Sequence, residues 1–134
     1  MSNQHETVFF SLKEMLFEYD EEKDWENVKR HGISFKTAAR VFLDYNRIEL
    51  YDEENSILEN EERYDTIGDI SDGGSSVVVG NVRKTKEYSK DIIFVVYTER
   101  MIKTMNNEEV EITRIISARY ATSFERGLYY GKYD

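Results

Sequence analysis

The chain of 134 residues contains no cysteine and no proline. Without cysteine, disulfides and thiolate metal sites are excluded. The missing prolines say little about function. Histidine is scarce, with His5 and His31 far apart and the carboxylates scattered. No ligand spacing emerges from them, so neither a metal nor another cofactor is expected. No long apolar run and no basic-then-apolar start is present, so neither a membrane span nor a signal peptide is expected. A cytoplasmic protein with no membrane partner is the default. The length suits one domain that buries a core without covalent staples.

Charge is plentiful but uneven. Residues 1–66 hold 8 Lys and Arg against 17 Asp and Glu, whereas residues 67–134 hold 10 against 10. The acidic half repels a phosphate backbone and attracts a basic partner. The ordinary alternative is that Glu53, Glu54, Glu59, Glu61 and Glu62 solvate a long loop. With no global basic footprint, any nucleic-acid site must be local. Arg100, Arg114, Arg119 and Arg126 concentrate positive charge in the C-terminal part, which implies either an anion site or a row of salt bridges.

Residues 1–14 are weakly patterned and read as an N-terminal extension, and residues 15–134 as a single domain. Residues 15–19 form a strand candidate. Asp20 then caps a helix with Glu21 and Glu22 in its first turn, Lys29, Arg30 and His31 in its last, and Gly32 as its left-handed stop. Trp25 and Val28 are expected to face the core. Ser34 caps a second helix, in which Phe35, Ala38, Ala39 and Phe42 make one apolar stripe. Extended segments follow at residues 47–51, 64–70 and 76–82, the last after a turn at Asp72-Gly73-Gly74. Residues 92–97 are apolar on both faces and belong in the middle of a sheet. Asn106-Asn107 turns the chain back into residues 111–118. Thr122-Ser123-Phe124-Glu125 fits a capping box that starts a final helix, with Phe124 and Leu128 expected inward. This order describes an α+β domain with helices packed on a mostly antiparallel β-sheet.

Five motifs occur in order: Phe17-Glu18-Tyr19-Asp20; Lys29-Arg30-His31-Gly32-Ile33-Ser34-Phe35; Glu62-Arg63-Tyr64 with Ile67-Gly68; Val95-Val96-Tyr97-Thr98-Glu99-Arg100; and Ile115-Ile116-Ser117-Ala118-Arg119 with Ala121-Thr122 and Glu125-Arg126. Together they resemble the BrnT toxins of bacterial type II toxin–antitoxin pairs over residues 17–130. The resemblance implies a RelE-like fold and a ribonuclease activity that stops translation. It also implies neutralisation by a cognate BrnA-like antitoxin, which supplies the only contact with DNA.

A metal-free ribonuclease must deprotonate a 2′-hydroxyl, stabilise charge on a phosphorane and protonate the departing 5′-oxygen. Arginine suits the middle task, because its planar fork grips phosphate through two bonds. Arg119, between the last strand and the final helix, is the first choice; its ordinary alternative is a surface pair with Glu125. Arg100 is the second, with a salt bridge to Glu99 or Glu111 as its alternative. Arg114 has the opposite parity from Arg119 in a regular strand, so it is set aside as a structural or partner contact. His31 at a helix C-terminus is the candidate general acid, or merely a cap. Glu62 is the candidate general base, against the alternative of one more solvated glutamate. Lys29 and Arg63 are candidate phosphate contacts, and Tyr97 and Tyr120 candidate stacking platforms for RNA bases. A second reading is a catalytically inactive module on the same fold, motivated by the acidic half and by the few cations after Arg119. Such a module would bind a basic partner.

Overall fold

The computed structural model describes residues 6–71 and 91–131. Among these residues six strands make one sheet in the order β1-β2-β6-β5-β4-β3. They are β1 (Thr7–Leu12), β2 (Met15–Asp20), β3 (Ile48–Tyr51), β4 (Tyr64–Asp69), β5 (Ile92–Lys103) and β6 (Glu109–Tyr120). All pairings are antiparallel except that of β2 with β6. The helices are α1 (Glu21–His31), α2 (Phe35–Ala38) running into a 3₁₀ turn (Ala39–Leu43), α3 (Glu53–Glu59) and α4 (Ser123–Gly131). This is the expected α+β class, consistent with a RelE-like toxin fold.

The two faces of the sheet follow from the pleat. Phe17 and Tyr19 of β2, Ile93 and Val95 of β5 and Ile115 and Ala118 of β6 share one face. That face is covered by Phe35, Ala38, Ala39 and Val41. The opposite face carries Glu18, Asp65, Ile67, Phe94, Val96 and Thr98, and Tyr129 of α4 packs there on Ile67 and Ile92. As expected, residues 92–97 lie in an interior strand, β5, between β4 and β6.

The capping signals of α1 hold. Asp20 Oδ1 accepts from the amides of Glu22 and Lys23 at 2.9 and 3.3 Å, and Gly32 closes the helix at φ +76°. Its inward face differs from the expected one, however. Trp25 and Val28 are exposed, and Asn27 is the buried residue. The cause lies in β6, which leaves its pairing with β2 after Arg114 and so presents a bare edge to α1. Asn27 supplies the missing partner: its Nδ2 donates to Ala118 O at 2.8 Å and Ile33 O at 3.0 Å, and Ala118 N donates to its Oδ1 at 3.2 Å. An apolar residue there would leave buried backbone groups unpaired.

Three further differences have local causes. Strand β1 lies within the segment read as an extension, where Val8, Phe10 and Leu12 pack on the core from the sheet edge. Of the acidic run, Glu53, Glu54 and Glu59 lie not in a loop but in α3, capped by Asp52 through Asn55 N and closed by Asn60 at φ +56°, whereas Glu61 and Glu62 follow it. In α4, Phe124 and Leu128 point outward and Tyr129 is buried, its hydroxyl donating to Asp44 Oδ2 at 2.6 Å. The turn at Asp72-Gly73-Gly74 and the strand at 76–82 lie outside the described residues.

One irregularity bears on function. Val96 pairs with Ser117 but Tyr97 pairs with Ile115, so β6 carries an extra residue, a β-bulge. A bulge resets the alternation of everything beyond it. Phe94 then faces Arg119 and Thr98 faces Arg114, which puts Arg114 on the same face as Arg119. A regular strand would have placed the two on opposite faces.

Candidate functional site

Arg119 is held in a fork. Its Nη1 and Nη2 donate to Glu125 Oε1 and Oε2 at 2.7 and 2.9 Å, and its guanidinium lies 4.3 Å from the centre of the Phe94 ring. Glu125 also completes the predicted capping box: Thr122 N donates to its Oε1 at 2.9 Å, and its own amide donates to Thr122 Oγ1 at 3.1 Å. The Arg119 hydrogen bonds hold the Glu125 carboxyl below its ordinary range, and those same bonds raise the pKa of Arg119. The salt bridge weighed as the ordinary alternative is therefore present. With 35% of its side chain exposed, Arg119 still meets solvent.

A second cationic group lies further along the same face. Arg100 pairs with neither Glu99 nor Glu111 but with Glu18, its Nε 2.9 Å from Oε2. Arg114 Nη1 is 3.5 Å from Oε1 of the same carboxylate, which is 1% exposed. The approach of Arg100 is not aligned as a hydrogen bond, so Oε2 is held by charge and receives no donor. Six residues of β5 separate Arg100 from Phe94, the partner of Arg119, so the two nominated arginines are roughly 20 Å apart along the strand. They do not converge on one phosphate.

His31 lies at the bare edge of β6, in a cavity of about 150 Å³ shared with Lys23, Glu26, Asn27, Arg30, Ile116 and Ser117. Ser117 is two residues from Arg119, so His31 stands beside the bulge, closer along β6 to Arg119 than Arg100 is. Glu62 is drawn away from the arginine face. It accepts from the Tyr64 hydroxyl at 2.9 Å, and Tyr64 pairs with Tyr97 on the helix-covered face. Tyr97 is buried against Phe42 and Tyr64, which leaves no ring face for a base. Tyr120 is exposed but pairs with Ile93, on the face opposite Arg119. Lys29 sits 4.4 Å from the centre of the Trp25 ring, and Arg63 binds Glu61 at 2.9 Å.

Two acidic residues on the arginine face escaped the sequence reading. Glu18 is one, and Asp65 is the other. Burial first, then its neighbour Asp52, pushes the Asp65 carboxyl up to about 7, and its Oδ1 is buried without a hydrogen-bond partner. Both announce themselves as a charge set in an otherwise apolar strand, Phe17-Glu18-Tyr19 and Tyr64-Asp65-Thr66-Ile67. Such a charge survives burial only with a partner or with a proton.

Residues 19–88, just over half the chain, fit the family described as "Ribonuclease toxin, BrnT, of type II toxin-antitoxin system". No curated protein matches the chain. The matched stretch contains Lys29, His31, Glu62, Arg63 and Asp65, whereas Glu18, Arg100, Arg114 and Arg119 lie outside it.

Proposed function

This chain belongs to the BrnT family of ribonuclease toxins of type II toxin–antitoxin systems, and on that premise we propose that it is a metal-independent endoribonuclease that arrests growth by cleaving RNA and blocking translation. The observation that carries the reading is the arginine face, where guanidinium groups stand on rigid strands beside the His31 cavity. In the proposed reaction the 2′-oxygen attacks phosphorus as its proton leaves to a base. The bond to the 5′-oxygen breaks, and that oxygen takes a proton from an acid. The products are a 2′,3′-cyclic phosphate and a 5′-hydroxyl. Arg119 stabilises the extra negative charge on the phosphorane through the N–H groups at Nε and Nη2 that Glu125 does not take. His31 is the proposed acid. Asp65 replaces Glu62 as the better-placed base, since it shares the face of Arg119 and its carboxyl, pushed up to about 7, accepts a proton in its ionised form near neutral pH.

A type II family implies an antitoxin partner. We assign that role to a BrnA-like protein, which supplies the contact with DNA and neutralises the toxin in the cytoplasm of a bacterium. The shallow surface hollow lined by Leu50, Tyr51, Asp52, Glu53, Glu54, Ile57 and Asp65 combines exposed apolar and acidic side chains that suit a basic segment of such a partner.

One observation favours a second reading. Glu125 already occupies both arms of the Arg119 fork, as it would in an inactive module that only binds a basic protein. Induction of the chain with and without its neighbouring partner frame, followed by RNA analysis, separates the two. Arrest with cleavage that disappears in Arg119→Ala supports the toxin. Arrest that survives Arg100→Ala, Arg119→Ala and His31→Ala combined removes the site assignment.

A further inference from the structure

We propose that Arg100 and Arg114, oriented by the buried carboxylate of Glu18, form a second phosphate-binding station that holds an RNA phosphate other than the one at Arg119. The inference rests on reading the chain as a ribonuclease, and it concerns how the RNA strand is held. Three observations carry it.

The first is register. The bulge in β6 brings Arg114 to the face of Arg119, opposite Thr98, and Arg100 follows two residues beyond Thr98 on β5. Four residues of β5 separate the partners of Arg119 and Arg114, or roughly 13 Å along the strand. Arg119 is held over Phe94 of β5 and Arg114 toward Glu18 of β2, on opposite sides of β6, so the two stations address different phosphates of one extended strand.

The second is the holding carboxylate. Burying a carboxylate such as Glu18 is costly unless cations offset it. Here it draws in two arginines from neighbouring strands, at 2.9 and 3.5 Å. One negative charge between two guanidinium groups leaves the station with a net positive charge. Among the described residues, neither Arg100 nor Arg114 has another ion pair.

The third is access. The side chains of Arg100 and Arg114 are 46% and 23% exposed, so both meet solvent while Nε of Arg100 and Nη1 of Arg114 face Glu18. Glu18 is thus a positioning residue. It fixes the forks so that little side-chain entropy is lost when phosphate arrives.

The test uses the full-length protein and a labelled, 2′-O-methylated single-stranded oligonucleotide, which binds but offers no 2′-hydroxyl for cleavage. Arg114→Ala should weaken binding about tenfold and flatten the salt dependence by about 0.7 in log–log slope, the loss of one single-strand phosphate contact. On cleavable RNA its KM should rise by more than its kcat falls, the reverse of Arg119→Ala. Glu18→Gln keeps the shape and raises the net charge of the station. If Glu18 positions the arginines, binding weakens despite the added charge; if it merely neutralises them, binding tightens and the positioning role is overturned. Should Glu18→Gln fail to fold, Arg114→Ala carries the test, because that side chain is partly exposed. Unchanged affinity and salt slope in Arg114→Ala overturn the station. Binding that depends on Arg114 in a protein that never cleaves RNA keeps the station and removes the ribonuclease reading instead.

Discussion

Both oxygens of Glu125 accept from the guanidinium of Arg119, at 2.7 and 2.9 Å, while one of them also accepts the amide of Thr122. A single carboxylate thus starts α4 and orients the candidate catalytic arginine. Activity and helix stability are coupled through it. Arg119→Ala should abolish RNA cleavage in an induction assay, and Arg119→Lys should not restore it, because a lysine has no planar fork.

The same pair predicts an acid limb. Glu125 is held below its ordinary carboxyl range by Arg119. A depressed folded pKa gives stability that is present above the unfolded value and is lost as pH falls through the folded one. Glu125→Gln should therefore cost about 1 kcal/mol at neutral pH, from a partly exposed pair and a helix cap. Near pH 3 the cost should shrink. Urea melts at the two pH values measure the difference, and an equal cost at both would remove the assignment.

Asp65 predicts the opposite trend. Its carboxyl is pushed up to about 7 by burial and by Asp52. The folded state then binds a proton more tightly than the unfolded state does. Its contribution falls as pH rises from the ordinary carboxyl range to about 7, and is flat above. Asp65→Asn should gain about 1 kcal/mol on the parent near pH 8, after discounting for partial exposure, and nothing near pH 3. If Asp65 is also the base, the more stable variant should be the less active one.

Local signals in the sequence were legible because they act through neighbours in the chain. The Asp20 cap, the Gly32 stop, the Thr122–Glu125 box and the apolar run of β5 all depend on residues within a few positions. What was not legible depends on distant partners. Trp25 looks like a core residue until α1 meets a bare strand edge that needs the amide of Asn27. Arg114 looks misdirected until one extra residue at Ile116 shifts the register. Glu18 meets Arg100 and Arg114 only when β2 lies beside β6. Alternation therefore located strands well but assigned the face of the functional side chains badly.

Gly68 tests how closely the 3₁₀ turn sits on β4. A methyl group placed there would lie 2.8 Å from Val41 Cγ2, 3.0 Å from Arg47 Cβ and 3.1 Å from Asp44 Oδ2. Two of those neighbours are short and fixed near the backbone, so they cannot swing away. Gly68→Ala should cost about 1–3 kcal/mol by overpacking. A shift of the urea midpoint without a change in slope reads it, and an unshifted midpoint would show that the turn yields freely.

Asn27 gives the strongest test of the link between fold and site. Its amide bonds three backbone groups, two of them on Ala118, one residue before Arg119. Asn27→Leu has similar volume but leaves those groups without partners, at a cost of about 3 kcal/mol or more. Asn27→Asp keeps one acceptor for Ala118 N but turns a carboxylate oxygen toward two carbonyls. It should be as harmful at neutral pH and less so in acid, where a protonated carboxyl can donate to one carbonyl. Since Asn27 also lines the His31 cavity, the loss should lower cleavage activity beyond what the unfolded fraction explains. Hydrogen exchange at the Ala118 amide, compared with that of a strand-centre amide such as Val95, measures the local part directly. Equal protection of Ala118 in the parent and in Asn27→Leu would show that α1 does not hold the edge of β6.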